Sequence, residues 1–201
     1  MTAKLKHSDI PVPETMQDLP LTERGYFKPW FVKGDDFRVV DNRKAAFAVT
    51  KKNCWVCGKP FLEQKYAMVC SPISAMFRIF KEPPCHPACA EYALQVCPFL
   101  LYPNAKRREV GMPEENTLES VNQNLEVKID GENPGEYYLV LVSDFVFDEA
   151  RQVMTCHEAD IVERQHWVEG TRQAEVPSPI VPFDDLPEDI QRQLKDQQKT
   201  C

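Results

Sequence analysis

Residues 54–61 read Cys-Trp-Val-Cys-Gly-Lys-Pro-Phe, and about thirty positions later residues 83–99 read PPCHPACAEYALQVCPF. Together these two stretches decide the fold. Zinc is held by four thiolate or imidazole groups in a tetrahedron, so each pair of ligands must come from a turn tight enough to aim two side chains at one point. Cys54 and Cys57 flank two residues and precede Gly58, which can take the positive φ of a knuckle turn. His86 and Cys89 also flank two residues, at the start of an Ala-, Leu- and Gln-rich segment that Pro87 opens and Pro98 stops. On the first turn of a helix a spacing of three puts both side chains on one face, and the positive end of the helix dipole favours a bound thiolate.

A knuckle, an intervening hairpin and a ligand pair at a helix start make a treble-clef-like zinc finger, with Cys54, Cys57, His86 and Cys89 as the ligand set for one Zn2+. Cys85 and Cys97 are poorer ligands. The first would sit at the helix cap pointing elsewhere, and the second lies about 12 Å along the helix axis from Cys89. Buried free cysteines are the competing reading, and they leave the paired spacing unexplained. Cys70, Cys156 and Cys201 have no partner at metal spacing.

A catalytic zinc keeps a position for water and has a carboxylate base nearby. Here four good ligands close the shell, and Ala88 stands where a zinc deaminase would carry its Glu. The metal is therefore expected to be structural, supplying folding energy rather than chemistry.

The rest of the chain fits one ordinary domain with tails. Its 201 residues can bury a core, and 43% hydrophobic with 27% charged residues is within the globular range. Seventeen prolines predict long irregular segments. Residues 1–18 read as a mobile arm, and residues 19–174 as one zinc-containing α+β domain. Within that domain the zinc module spans about 50–105 and an antiparallel β meander about 136–170. Residues 175–201 read as a proline-rich linker and a terminal amphipathic helix carrying Leu186, Ile190 and Leu194. Between the ligand pairs, KYAMVCSPISAMFRIF (65–80) reads as two short strands or a hairpin broken at Pro72, and DDFRVVD (35–41) as a short strand. The aromatics of FKPWF (27–31) are expected to pack into the core, and the acidic insert 112–136 to be solvated.

A formal charge of −7 argues against a broad nucleic-acid footprint, although Arg78, Lys106, Arg107 and Arg108 could form a local basic face. No run approaches the ~20 apolar residues that span a bilayer, and the amino end lacks the apolar centre of a secretory signal. A cytoplasmic protein without a membrane partner is the expectation, with its eight cysteines as thiols and metal ligands rather than disulfides.

The combination of GYFKPWFV, CWVCG, the Pro72 to Arg78 segment, EPP-x-H-x-x-CAEYA, CPFL and a following RRE resembles a family of small, uncharacterised zinc-binding proteins encoded by bacteriophages and prophage-carrying bacteria. The resemblance covers about residues 19–110. Two positions depart from the family pattern: Cys85 replaces its usual Ser, and SPIS replaces a Gly-Pro-Met-Cys segment. Neither touches the four candidate ligands. The resemblance implies a phage setting, inside a bacterial host cell, and no particular activity.

The expected function is binding of a host or phage protein without catalysis. Nucleic-acid binding is the alternative, since treble clefs often carry it, and a nuclease-like metal enzyme the second alternative. A nuclease would need a further His or Asp near the finger, yet between residues 42 and 109 His86 is the sole His and no Asp occurs. The remaining histidine clusters, His157 with Glu158 and Asp160, and His166 with Trp167, read as surface or core groups.

Overall fold

The computed structural model describes residues 9–103, 105 and 133–177. The architecture is α+β. Its centre is the strand β3 (Glu136–Val142), flanked by β1 (Tyr66–Cys70) and β6 (Ile161–Val168), with the two-residue β7 (Thr171–Arg172) beyond β6. All neighbours in this sheet are antiparallel. A second sheet has the order β2 (Ile79–Phe80), β5 (Val153–Thr155), β4 (Val146–Asp148).

The apolar run YYLVLV in β3 is buried on both faces, as expected of a strand covered from two sides. Side chains alternate along a strand, so β3 feeds two cores. Tyr137, Leu139 and Leu141 join Ala67 and Trp167 in the first core. Tyr138, Val140 and Val142 join Tyr66, Met68 and Cys70 in the second. Helix α3 (Pro87–Val96) covers the first face with Cys89, Ala90, Tyr92, Leu94 and Val96. The second face is covered by Phe80 of β2, Met154 of β5 and Ala75 of α2 (Pro72–Phe77).

Each helix has local reasons to start and stop. Helix α1 (Asn42–Thr50) begins at Asp41, whose carboxylate accepts from the Arg43 amide at 3.0 Å. Helix α2 begins at Ser71, whose hydroxyl accepts from the Ser74 amide at 3.3 Å, with Pro72 in the first turn. It ends at Arg78, which takes the left-handed conformation (φ 56°). Helix α3 ends at Cys97, held extended by the following Pro98, after which the single turn α4 (Pro98–Leu101) begins.

Four expectations change. The two short strands expected in segment 65–80 are present as β1 and β2, but they do not form a hairpin: helix α2, capped by Ser71 with Pro72 in its first turn, stands between them. The strands on either side of α2 consequently enter different sheets. The expected three-strand meander is divided in the same way: β3 and β6 pair with each other, while the β4–β5 hairpin between them leaves to pair with β2. Residues 35–41 form a loop closed by an isolated bridge between Val32 and Val40, in which the Asp36 carboxylate accepts from the Arg38 amide and side chain.

The fourth change concerns the described part of the expected arm. Ile10 and Met16 are buried in the first core, so residues 9–18 belong to the folded body. The FKPWF aromatics Phe27, Trp30 and Phe31 do pack against that core, with Phe31 stacked on Trp55 at 4.5 Å between ring centroids. Residues 178–201, most of the acidic insert and the string Lys106, Arg107, Arg108 lie outside the described residues.

Candidate metal centre

The knuckle follows directly from the end of α1. The Asn53 amide donates to Ala48 O, and the Asn53 side chain donates to Gly58 O at 2.8 Å, bracing the turn from below. Gly58 takes φ +75°, and its amide donates to Cys54 O at 2.8 Å. A Cβ at position 58 would lie 2.5 Å from Trp30 Cγ, so glycine is needed both for the turn and for the indole above it. The Trp30 amide in turn donates to Val56 O at 2.7 Å.

The helix half arrives by a different route. Strand β1 meets the start of α3 through one bridge, in which Ala67 and Cys85 exchange both backbone hydrogen bonds at 2.9 Å. The paired hairpin expected between knuckle and helix is reduced to that single bridge. The Trp55 amide also donates to Pro84 O at 2.9 Å, tying the knuckle to the strand that leads into α3. His86 is the residue before Pro87 and the N-cap of α3, and Cys89 lies in the first turn.

These two halves bring Cys54, Cys57, His86 and Cys89 together, with all four ligand atoms within 4.8 Å of one another. Cys57 Sγ is 3.3 Å and Cys89 Sγ 3.9 Å from His86 Nδ1. A tetrahedral ion with bonds of about 2.0–2.3 Å has ligand–ligand edges of roughly 3.5–3.8 Å, so the cluster is close enough to hold a metal ion. All three cysteines are buried, Cys54 and Cys89 completely.

The surroundings suit an ion held by thiolates. Cys54 Sγ accepts from the backbone amides of Cys57 (3.5 Å) and His86 (3.3 Å). His86 Nε2 lies 3.2 Å from Pro60 O, which assigns the ring proton to Nε2 and leaves Nδ1, the atom facing the sulfurs, as the lone-pair donor. The Phe61 ring packs against His86 at 4.8 Å between centroids and restricts its rotation.

Burial pushes the Cys54 thiol up, but hydrogen bonds from Cys57, Cys85, Cys89 and His86 outweigh it and hold the group far below the ordinary thiol value. Hydrogen bonding to Cys54 pushes Cys89 and Cys85 up. Burial lowers His86, yet hydrogen bonds to Cys54 and Cys57 raise it to about 10. A cation at the centre would replace that imidazolium as the partner of the sulfurs.

Of the poorer candidates, Cys85 is buried beside the cluster, close enough to hydrogen-bond with Cys54, and its sulfur points toward Pro83 O at 3.8 Å. It stands outside the four-atom group. Cys97 sits at the far end of α3, outside it too. Arg78 pairs with Glu158 at 2.9 Å, and Glu158 also pairs with Arg164 at 2.7 Å, so one carboxylate is shared between two guanidinium groups. What sequence reasoning missed is Thr15, whose hydroxyl lies 3.1 Å from Cys89 Sγ across 74 residues of sequence. No spacing rule connects those two positions.

Comparison with protein-family models, with curated proteins and with solved structures finds no match to this chain. Among the described residues no helix is long and apolar enough to cross a membrane.

Proposed function

We propose that the chain holds one structural zinc ion on Cys54, Cys57, His86 and Cys89 in a treble-clef-like arrangement, and that it works without catalysis by binding a host or phage protein in the cytoplasm of a bacterial cell. The observation carrying this reading is the closed donor set: three buried sulfurs and one imidazole nitrogen within 4.8 Å of one another. Three sulfurs and a nitrogen favour zinc over magnesium or calcium, which take oxygen ligands. With four protein donors, no coordination position is left for a reacting water. The phage setting rests on the resemblance of the GYFKPWFV, CWVCG and CAEYA motifs.

The test has two stages. Elemental analysis of the purified chain is expected to give one zinc per molecule, and cobalt substitution a tetrahedral absorption spectrum with sulfur-to-metal charge transfer. A chain that retains no metal at neutral pH sinks the site. Capture with the zinc-loaded chain from nuclease-treated host lysate is expected to retain a protein partner that the chelated chain does not. If capture depends on nucleic acid and weakens steeply with salt, the partner is nucleic acid instead.

A further inference from the structure

The metal centre takes one contact from outside both the knuckle and the helix. Thr15 lies in a 3-10 turn (Glu14–Met16) and its Oγ1 is 3.1 Å from Cys89 Sγ. A thiolate sulfur can only accept, so in the metal-bound form the hydroxyl is the donor. The turn is anchored on both sides of Thr15. Ile10 and Met16 are buried in the same core as Cys54 and Cys89, and the Met16 amide donates to Pro13 O at 2.9 Å. On the other side the Asp18 carboxylate accepts from Lys59 at 2.7 Å, two residues beyond Cys57, and Lys59 O receives the Cys54 amide at 2.8 Å.

Two donors to Cys54 are backbone amides, which do not depend on the side chains that carry them. The donor to Cys89 is a side chain, and it belongs to a segment far from the finger in sequence. We propose that Thr15 is a positioning residue of the metal centre: its hydroxyl donates to the Cys89 sulfur, draws charge from it, and couples retention of the metal to the packing of residues 9–19. The inference rests on the zinc reading above.

Partners that orient and polarise metal ligands typically change metal affinity by about 10- to 100-fold when removed. The full chain loaded with cobalt tests the point with three proteins: the parent, Thr15→Val and Thr15→Ser. Thr15→Val keeps the shape and removes the hydroxyl. It is expected to weaken metal binding by about 10-fold and to speed transfer to a chromogenic chelator. It should also move the sulfur-to-cobalt charge-transfer band to longer wavelength, because the sulfur lone pairs lose a donor. Thr15→Ser should restore both.

A Thr15→Val protein whose affinity and band match the parent overturns the proposal. So does one that loses affinity with the band unmoved, which would reflect packing alone, or a Thr15→Ser protein that behaves like Thr15→Val. A parent chain that binds no metal sinks the site reading and this one together; a parent that binds while Thr15→Val is indistinguishable from it sinks this one alone.

Discussion

The two faces of the central sheet are built from the same strands yet closed by different means. On one face, Phe80, Met154, Tyr138, Met68 and Val140 fill the space with large side chains, none more than a few per cent exposed. On the other, the small side chains of Ala48, Ala67, Ala90, Cys54 and Cys89 are all fully buried beside larger ones. Small side chains bury little apolar area each, at about 25 cal/mol per Å². The second core closes on packing alone, whereas the first, which also holds Trp55, Tyr92, Leu94, Tyr137, Leu139 and Trp167, contains the Cys54, Cys57, His86 and Cys89 cluster, where a bound ion would add a cross-link between two segments.

That contrast predicts that the two faces respond differently to the same insults. Removing the metal with a strong chelator, or replacing Cys54 by Ser, has the largest expected effect, on the order of several kcal/mol. Hydrogen exchange should show amides 54–61 and 86–96 losing protection while the β3 and β6 amides keep more of theirs. Equal loss on both faces would break the comparison. The pH dependence has a fixed sign, since the ligands must be three thiolates and a neutral imidazole: binding releases protons, so metal content falls as the pH falls.

On the opposite face, Phe80→Ala is expected to cost about 3–5 kcal/mol by urea denaturation, because Phe80 is 1% exposed at the centre of the second core. Zinc affinity should change little in the same protein. A matching drop in affinity would mean that the sheet transmits strain between faces.

Gly58→Ala sharpens the comparison within the metal face. The new methyl meets Trp30 and the backbone holds φ +75°, so a loss of about 1–3 kcal/mol in thermal unfolding with weaker metal binding is expected. The smallest effect lies outside both cores. The hydrogen bond from Arg38 holds the Asp36 carboxyl down at about 2, against an ordinary 3.8. A depressed folded value means the pair contributes stability above about pH 3.8 and loses it as the pH falls toward 2. Arg38→Gln should remove that acid dependence, by less than about 1 kcal/mol since the pair is partly exposed.

The clustering of four residues was legible because metal geometry would impose short spacings that survive in the linear chain, Cys54 with Cys57 and His86 with Cys89, and the fold brings them within 4.8 Å. Helix α3 was legible for a related reason, since Pro87 and Pro98 mark its ends by removing backbone donors. The helix at Pro72 was missed, though the two short strands around it were not, because proline is compatible both with a broken strand and with the first turn of a helix. Ser71 decides between them by capping the Ser74 amide, a contact worth about 1 kcal/mol that periodicity does not register. The arm was misread because Ile10 and Met16 are isolated apolar residues in a polar context.

Short-range chemistry in the chain was enough to specify the four clustered side chains, the knuckle turn and the helix that starts between His86 and Cys89. Long-range packing alone decided that β3 would separate two cores, that the β4–β5 hairpin would leave its neighbours for a second sheet, and that Thr15 would reach Cys89. Local signals arise from backbone sterics and ligand spacing within a few residues. Strand partners and contacts across 74 positions follow from which buried faces fit together, and that is a property of the whole folded chain.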